Sequence, residues 1–99
     1  MMELFWTPEA TQERDEIYDY IEVDNPAAAL ALDELLAKKV GRLVDHPGIG
    51  RPGRVAGTRE LVVHRNYILV YDLADDLVRV LRVLHAARQW PPVRNEWTQ

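Results

Sequence analysis

The spacing of apolar and polar positions divides the chain into a helical first half and a sheet-forming second half. After a short apolar and aromatic run, apolar residues recur at helical spacing over two segments. Beyond Gly57, the spacing changes to the alternation that is typical of half-buried strands. The predicted elements are a strand at residues 3–6, helices at 8–23 and 26–45, and strands at 58–64, 67–73 and 77–85.

Both predicted helices carry a start signal. Thr7 precedes Pro8 and Asn25 precedes Pro26, so each helix has a side-chain acceptor at its N-cap and a proline in its first turn. Only a couple of residues separate the two helices, which favours an antiparallel hairpin. The apolar stripe of the second helix consists of Ala29, Leu32, Leu35, Leu36, Val40 and Leu43.

A glycine- and proline-rich loop at residues 46–57 separates the helices from the strands. The later strands are joined by short turns at Arg65–Asn66 and Ala74–Asp76, which favours antiparallel neighbours. The element order β-α-α-β-β-β predicts an α+β fold, with the helical hairpin packed on one face of a mostly antiparallel sheet. Ninety-nine residues fit one domain spanning 1–99, with an irregular tail at 92–99.

Composition narrows the functional class. The chain has no cysteine, no apolar run long enough to span a membrane and no signal-peptide pattern, so we expect a cytoplasmic protein without membrane contact. The formal charge is −4, which argues against a general nucleic-acid binder. The charge is unevenly distributed: residues 1–46 have a net charge of −7, and residues 47–99 have a net charge of +3. Every basic residue in the second segment is arginine. The asymmetry is either ordinary surface charge or an acidic helical side and a basic sheet side that meets an anionic partner.

Five segments give the chain a family resemblance: FWTPEA, IYDYIEVDNPAAA, DHPGIGRPGRVAGTREL, YILVYDL and VRVLRVLHAARQWP. In this order and spacing, over about residues 3–91, they resemble the RelE/ParE superfamily of toxins from type II toxin–antitoxin modules. The resemblance implies a growth-arresting toxin of a plasmid-stabilisation or addiction module. It also implies neutralisation by a small antitoxin that is partly disordered alone, and chemistry that needs no cofactor or metal.

The superfamily divides by cellular target, and this chain resembles both branches. RelE-like and YafQ-like members cut mRNA on the ribosome, whereas ParE-like members inhibit DNA gyrase without hydrolytic chemistry. The helical hairpin resembles the ParE branch. The second half resembles the YafQ type, although Val62, Asn66 and Tyr67 stand where that type has a third histidine, an aspartate and a tryptophan. We favour a ribosome-dependent mRNA endonuclease. The first alternative is a non-catalytic inhibitor of DNA gyrase, and a third possibility is a binding module that has lost its toxicity.

Metal-free cleavage of RNA needs a base for the ribose 2′-hydroxyl, an acid for the leaving oxygen and cations for the phosphorane. Histidine suits proton transfer because it titrates near cellular pH. A tyrosine can stack on a base. Together with the resemblance, these requirements give a predicted catalytic set of His85, His46, Arg59, Tyr67 and Arg88. Arg51 and Arg54, in the glycine-rich loop, are predicted to contact phosphate.

Each candidate also has a structural explanation, which the sequence leaves open. His85 can make a structural hydrogen bond, and His46 can place a favourable cation at a helix C-terminus. Arg59 can form an ion pair, and Tyr67 can pack beneath the helices. The loop arginines can simply be solvated, and Arg88 can cap the end of the sheet.

Overall fold

A helical hairpin covers one face of a five-stranded sheet in the computed structural model, which describes residues 2–86. The elements are β1 (Glu3–Trp6), α1 (Pro8–Glu22), α2 (Pro26–Arg42), β2 (Arg51–Pro52), β3 (Arg59–His64), β4 (Tyr67–Ala74) and β5 (Leu77–His85). Across the sheet the order is β1-β5-β4-β3-β2, with β1 parallel to β5 and all other neighbours antiparallel. The predicted α+β fold is therefore confirmed. The tail predicted to be irregular and Arg88 lie outside the described residues.

The predicted helix starts are correct, because both side-chain caps are made. Thr7 Oγ1 accepts a 3.1 Å hydrogen bond from the Ala10 N–H, and Asn25 Oδ1 accepts one of 3.1 Å from the Ala28 N–H. The predicted end of the second helix at residue 45 is wrong, since α2 ends at Arg42. Pro47 disfavours helical backbone at the residue before it, so the chain leaves the helix through hydrogen-bonded turns at residues 43–46.

The hydrophobic core lies between α2 and the centre of the sheet. The predicted apolar stripe of α2 is buried, except for Leu35, which is half-buried. It packs against β3, β4 and β5, where Leu69 and Tyr71 of the central strand β4 are fully buried. Tyr20 follows Ile17 by three positions and so has the helical spacing of a core residue of α1, yet it is 80% exposed. Spacing alone did not distinguish a core position from one beside a surface cleft.

The second strand was not predicted, because residues 46–57 carry no alternation. β2 has two residues and pairs with β3 through Arg51 opposite Glu60 and Pro52 opposite Arg59. Pro52 cannot donate a ladder hydrogen bond, which an edge strand tolerates. Part of the loop that we predicted to be irregular is therefore the edge of the sheet.

The N-terminal part of α1 closes the edge of β5 beyond the end of β1. Trp6, the last residue of β1, lies opposite Val80. Past this point the hydroxyl of Thr7 donates to the Leu81 carbonyl at 3.1 Å, and the Glu13 carboxylate accepts from the Val83 N–H at 2.9 Å. These bonds fix α1 beside the end of β5, and that position creates the cleft described below.

Candidate functional site

A cleft of about 370 Å³ opens between α1 and the paired ends of β4 and β5. Tyr67 begins β4 and lies opposite His85, the last residue of β5, and their rings meet edge to face with centroids 5.2 Å apart. His64 ends β3 on the other side of Tyr67, at a centroid distance of 6.2 Å. The structure thus brings two of the predicted catalytic residues together. The lining residues are Glu13, Glu16, Ile17, Tyr20, Tyr67, Val83 and His85.

The charge of this cleft is acidic. Glu13 binds the Arg82 guanidinium through Nε at 2.9 Å and through Nη2, and these hydrogen bonds raise the pKa of Arg82. Glu16 accepts a 3.2 Å hydrogen bond from the neutral Gln12 amide, and within residues 2–86 it forms no ion pair. Burial raises the pKa of the Tyr67 phenol and the nearby Tyr20 adds to the effect, so Tyr67 is neutral at cellular pH. The cleft combines an aromatic wall with carboxylates, an arrangement that suits cations better than phosphates.

The predicted phosphate-binding arginines lie elsewhere, around the buried carboxylate of Glu60. Glu60 is 3% exposed. Its carboxylate accepts a 3.3 Å hydrogen bond from Arg51 Nη2 and a 2.9 Å hydrogen bond from the Arg54 backbone N–H. The Arg54 side chain adds a 3.6 Å ion pair. A buried carboxylate needs such partners, because an unpaired charge is costly in the interior. The two arginines therefore neutralise an internal acid while their side chains remain about half exposed.

Arg59 holds the backbone of the segment at residues 46–57, which we call the arginine loop. Its Nη1 donates to the carbonyl oxygen of Gly50 at 2.7 Å and to that of Gly48 at 3.3 Å. Within residues 2–86 Arg59 forms no ion pair, so loop carbonyls take the place of the acid that the sequence suggested. His46, at the start of the loop, is exposed.

The predicted site residues thus form two groups at opposite ends of β3. Arg59 begins this strand beside the arginine loop, whereas His64 ends it beside Tyr67. Five residue steps of about 3.4 Å separate the two ends by roughly 17 Å. Arg51, Arg54, Arg59 and His46 belong to the first end, and Tyr67 and His85 to the second. Arg88 lies outside the described residues.

Two acids in these groups were missed by the sequence reasoning, although each had a signal. Glu60 is the one acid among three nearby arginines, which marks it as their counter-ion. Glu13 precedes Ile17 by four positions and therefore shares its helix face. In residues 2–86 no three histidine or acidic side chains are grouped so that they could hold a metal ion. Neither described helix has the length and apolar character needed to cross a membrane.

Comparisons with known proteins agree with this architecture. The sequence model of the family described as "ParE toxin of type II toxin-antitoxin system, parDE" matches residues 4–90. Y4kP of Sinorhizobium fredii is 44% identical over 89 residues, which are 89% of this chain and 92% of that protein. The toxin RelE2 of Caulobacter vibrioides is 38% identical over 88 residues, covering 89% of this chain and 99% of RelE2.

The solved structure of the chromosomal ParDE system of P. aeruginosa has a similar fold. It is 31% identical in sequence, covers 86% of this chain and 96% of its own, and superposes with a TM-score of 0.77. The superfamily predicted from the five sequence segments is therefore confirmed. The chain belongs to the ParE toxin family of type II toxin–antitoxin systems, within the RelE/ParE superfamily.

Proposed function

We propose that this toxin arrests growth by binding DNA gyrase, without cutting RNA, and that a cognate antitoxin neutralises it. One observation carries the proposal. The residues that would have to cooperate in RNA cleavage are divided between two ends of β3, with Arg59 at one end and His85 at the other. Proton transfer and phosphate neutralisation must act on the same few atoms, and roughly 17 Å between the two groups is too far for that.

The charges around His85 support the same proposal. Cleavage builds negative charge on the phosphate, which cations stabilise and carboxylates oppose. Beside this cleft the Arg82 side chain is bound to Glu13, and Arg65 is exposed in the turn before Tyr67. Glu16 adds a second carboxylate to the same cleft. A phosphate entering this cleft would be repelled by its carboxylates. A protein target need not place a negative charge here.

The family membership supports gyrase as the target. The matching family is that of ParE toxins, and the resemblance noted above attributes gyrase inhibition to ParE-like members. The helical half that resembles them carries the −7 charge, so its surface suits a basic protein surface better than RNA.

The second candidate is a ribosome-dependent mRNA endonuclease, and the contact between Tyr67 and His85 favours it. Tyr67 could stack on a base while His85 moves a proton at the adjacent ribose or phosphate. In that case the exposed Arg65, in the turn before Tyr67, or cationic groups of the ribosome would have to neutralise the phosphate.

Brief induction in growing cells separates the two functions. Gyrase inhibition predicts DNA breaks and a DNA-damage response while messages stay intact, and the purified toxin should trap gyrase on cleaved DNA. Cleavage of mRNA at defined codon positions, in cells whose DNA stays unbroken, would overturn the proposal. Co-expression of the antitoxin is the control, since it should abolish either effect.

The antitoxin is proposed to be the product of an adjacent small open reading frame, partly disordered alone and folding on this toxin. The ParDE structure is that of a toxin–antitoxin system, which supports such a partner. Co-purification of the two chains tests it. Failure of any neighbouring gene product to bind the toxin would contradict it.

A further inference from the structure

The cleft beside α1 has an aromatic wall and a carboxylate that the proposed binding of gyrase does not explain. We propose that it receives an arginine or lysine side chain of the cognate antitoxin, carried next to an apolar residue. This inference rests on the proposed antitoxin partnership and adds the chemistry of one contact.

The wall of the cleft is aromatic and apolar. Tyr67 and Ile17 line it together with the buried Val83, and Tyr20 stands at its mouth with 80% of its side chain exposed. The ring of Tyr67 takes the edge-to-face arrangement with His85. The phenol stays neutral, as described above, and a neutral tyrosine ring attracts a cation placed over its face. The aliphatic stem of arginine or lysine would cover the apolar wall.

The carboxylates of the cleft favour a ligand with a positive charge. The Glu13 carboxylate is balanced by Arg82 and by the Val83 N–H, which leaves little attraction for a further cation. Glu16 has only the neutral Gln12 as a hydrogen-bond partner among the described residues, so its charge faces the cleft uncompensated there. A purely apolar ligand would desolvate this carboxylate without replacing its water, and an anion would be repelled. A cationic head avoids both costs.

The size of the cleft limits the occupant. Its volume of about 370 Å³ is near the lower end of the range for ligand pockets, roughly 300–1,000 Å³. One long side chain and an apolar neighbour therefore fit better than the face of a whole helix. This chemistry is opposite to that of the arginine loop, so the antitoxin segment over the cleft should be basic.

Affinity measurements on the toxin–antitoxin complex test the proposal. Glu16→Gln and Tyr20→Ala should each weaken antitoxin binding about 5- to 20-fold, as expected for a lost charge-assisted hydrogen bond or aromatic contact. Glu34→Gln and Val23→Ala are matched controls, because Glu34 is exposed on α2, Val23 is 82% exposed, and neither lines the cleft. Both controls should bind within about twofold of wild type.

Short blocked peptides give a direct measurement on the purified toxin. The sequence Leu-Arg-Leu should shift the nuclear magnetic resonances of Tyr67 and Val83 saturably, and Leu-Gln-Leu should bind at least about fivefold more weakly. Added antitoxin should displace the peptide. Shifts in the Glu16→Gln toxin should require a higher concentration of Leu-Arg-Leu.

The outcomes separate this inference from the proposed function. If the antitoxin binds wild type and both cleft variants equally, the inference is overturned while the partnership stands. If no antitoxin complex forms, the partnership itself is overturned. Peptide binding that the antitoxin does not displace would overturn the antitoxin as occupant. Equal binding of the glutamine peptide, or stronger binding of a dinucleotide, would overturn the basic side chain as ligand.

Discussion

The hydroxyl of Tyr71 donates a 2.7 Å hydrogen bond to the carbonyl oxygen of Pro47, twenty-four positions earlier in the chain. The same hydroxyl accepts a 2.9 Å hydrogen bond from the Gly50 N–H. Because Tyr71 is fully buried in β4, these two bonds tie the start of the arginine loop to the core of the protein. Together with the Arg59 contacts, they make the loop a fixed edge of the sheet.

Removing this hydroxyl should measurably destabilise the fold. Tyr71→Phe keeps the ring but leaves the Pro47 carbonyl and the Gly50 N–H without their partner, which costs about 1–3 kcal/mol when such groups are buried. Urea denaturation measures the loss. Tyr20→Phe is the control, since its ring is 80% exposed. Equal stability of the two variants would mean that the hydroxyl does not hold the loop.

The close approach of Tyr71 also explains why a glycine stands at position 50. A Cβ added there would lie 2.6 Å from the Tyr71 hydroxyl and 2.8 Å from Cε1, which are overlapping distances. Gly50→Ala should therefore cost about 1–3 kcal/mol through displacement of the loop or the ring. The matched control is Gly48→Ala in the same loop, where the added Cβ meets nothing within 4 Å. Thermal melting of both variants should show a clear loss for the first only.

The parts of the fold that depend on residues only a few positions apart could be predicted from the sequence. Thr7 and Asn25 cap the helices with acceptors that lie three residues from their donors, so the signal is contained in a few positions. The alternation of β3 to β5 is equally local. It predicted the strands, and the short polar segments between them predicted both turns. The left-handed backbone of Asp75, between β4 and β5, was not predicted.

The arrangement of the candidate site depends on contacts between distant segments, and periodicity does not contain them. Arg59 alternates like any strand residue, but its partners are two loop carbonyls that only the tertiary fold brings within reach. Tyr20 has the spacing of a core residue and stands at a cleft mouth, because α1 is held by the edge of β5. The pairing of β2 likewise depends on where β3 passes.

The apolar stripe of α2 provides a direct stability test. Leu36 is 1% exposed in the centre of the core, so Leu36→Ala should lower the free energy of unfolding by about 2–5 kcal/mol. Leu30→Ala on the same helix is the control, since Leu30 is 51% exposed. A loss below about 0.5 kcal/mol for Leu36→Ala in a denaturant titration would contradict its place in the core.

The raised pKa of Tyr67 predicts a pH effect on stability. Burial, with a contribution from Tyr20, makes the folded protein hold the phenolic proton more tightly than the unfolded chain does. The associated stability is present below the unfolded pKa of about 10 and is lost as the pH rises through the higher folded value. Melting temperatures measured from neutral to alkaline pH should therefore fall less steeply for Tyr67→Phe than for wild type. An unchanged alkaline slope would contradict the burial of the phenol.

Replacement of His85 distinguishes the two candidate functions. If the toxin binds gyrase, a folded His85→Gln protein should still arrest growth, because no proton transfer is lost. If it cleaves RNA, the rate should fall about 10²- to 10⁴-fold and toxicity should collapse. Growth arrest on induction is measured together with thermal melting, so that a folding defect is recognised. His64→Gln is the control, since His64 is also exposed and also lies beside Tyr67.

The pairing of β1 with β5 affects how the toxin folds during its synthesis. The first and last described strands meet across 74 positions, as in the hydrogen bond from the Thr7 hydroxyl to the Leu81 carbonyl. At a translation rate of roughly 5–20 residues per second, the first strand emerges about 4–15 s before its neighbour has been made. During that interval the sheet lacks an edge and the helices lack their full support. A message broken before the codon for Leu77 yields a chain that can never close its sheet, so the folded toxin forms only when translation has passed through β5.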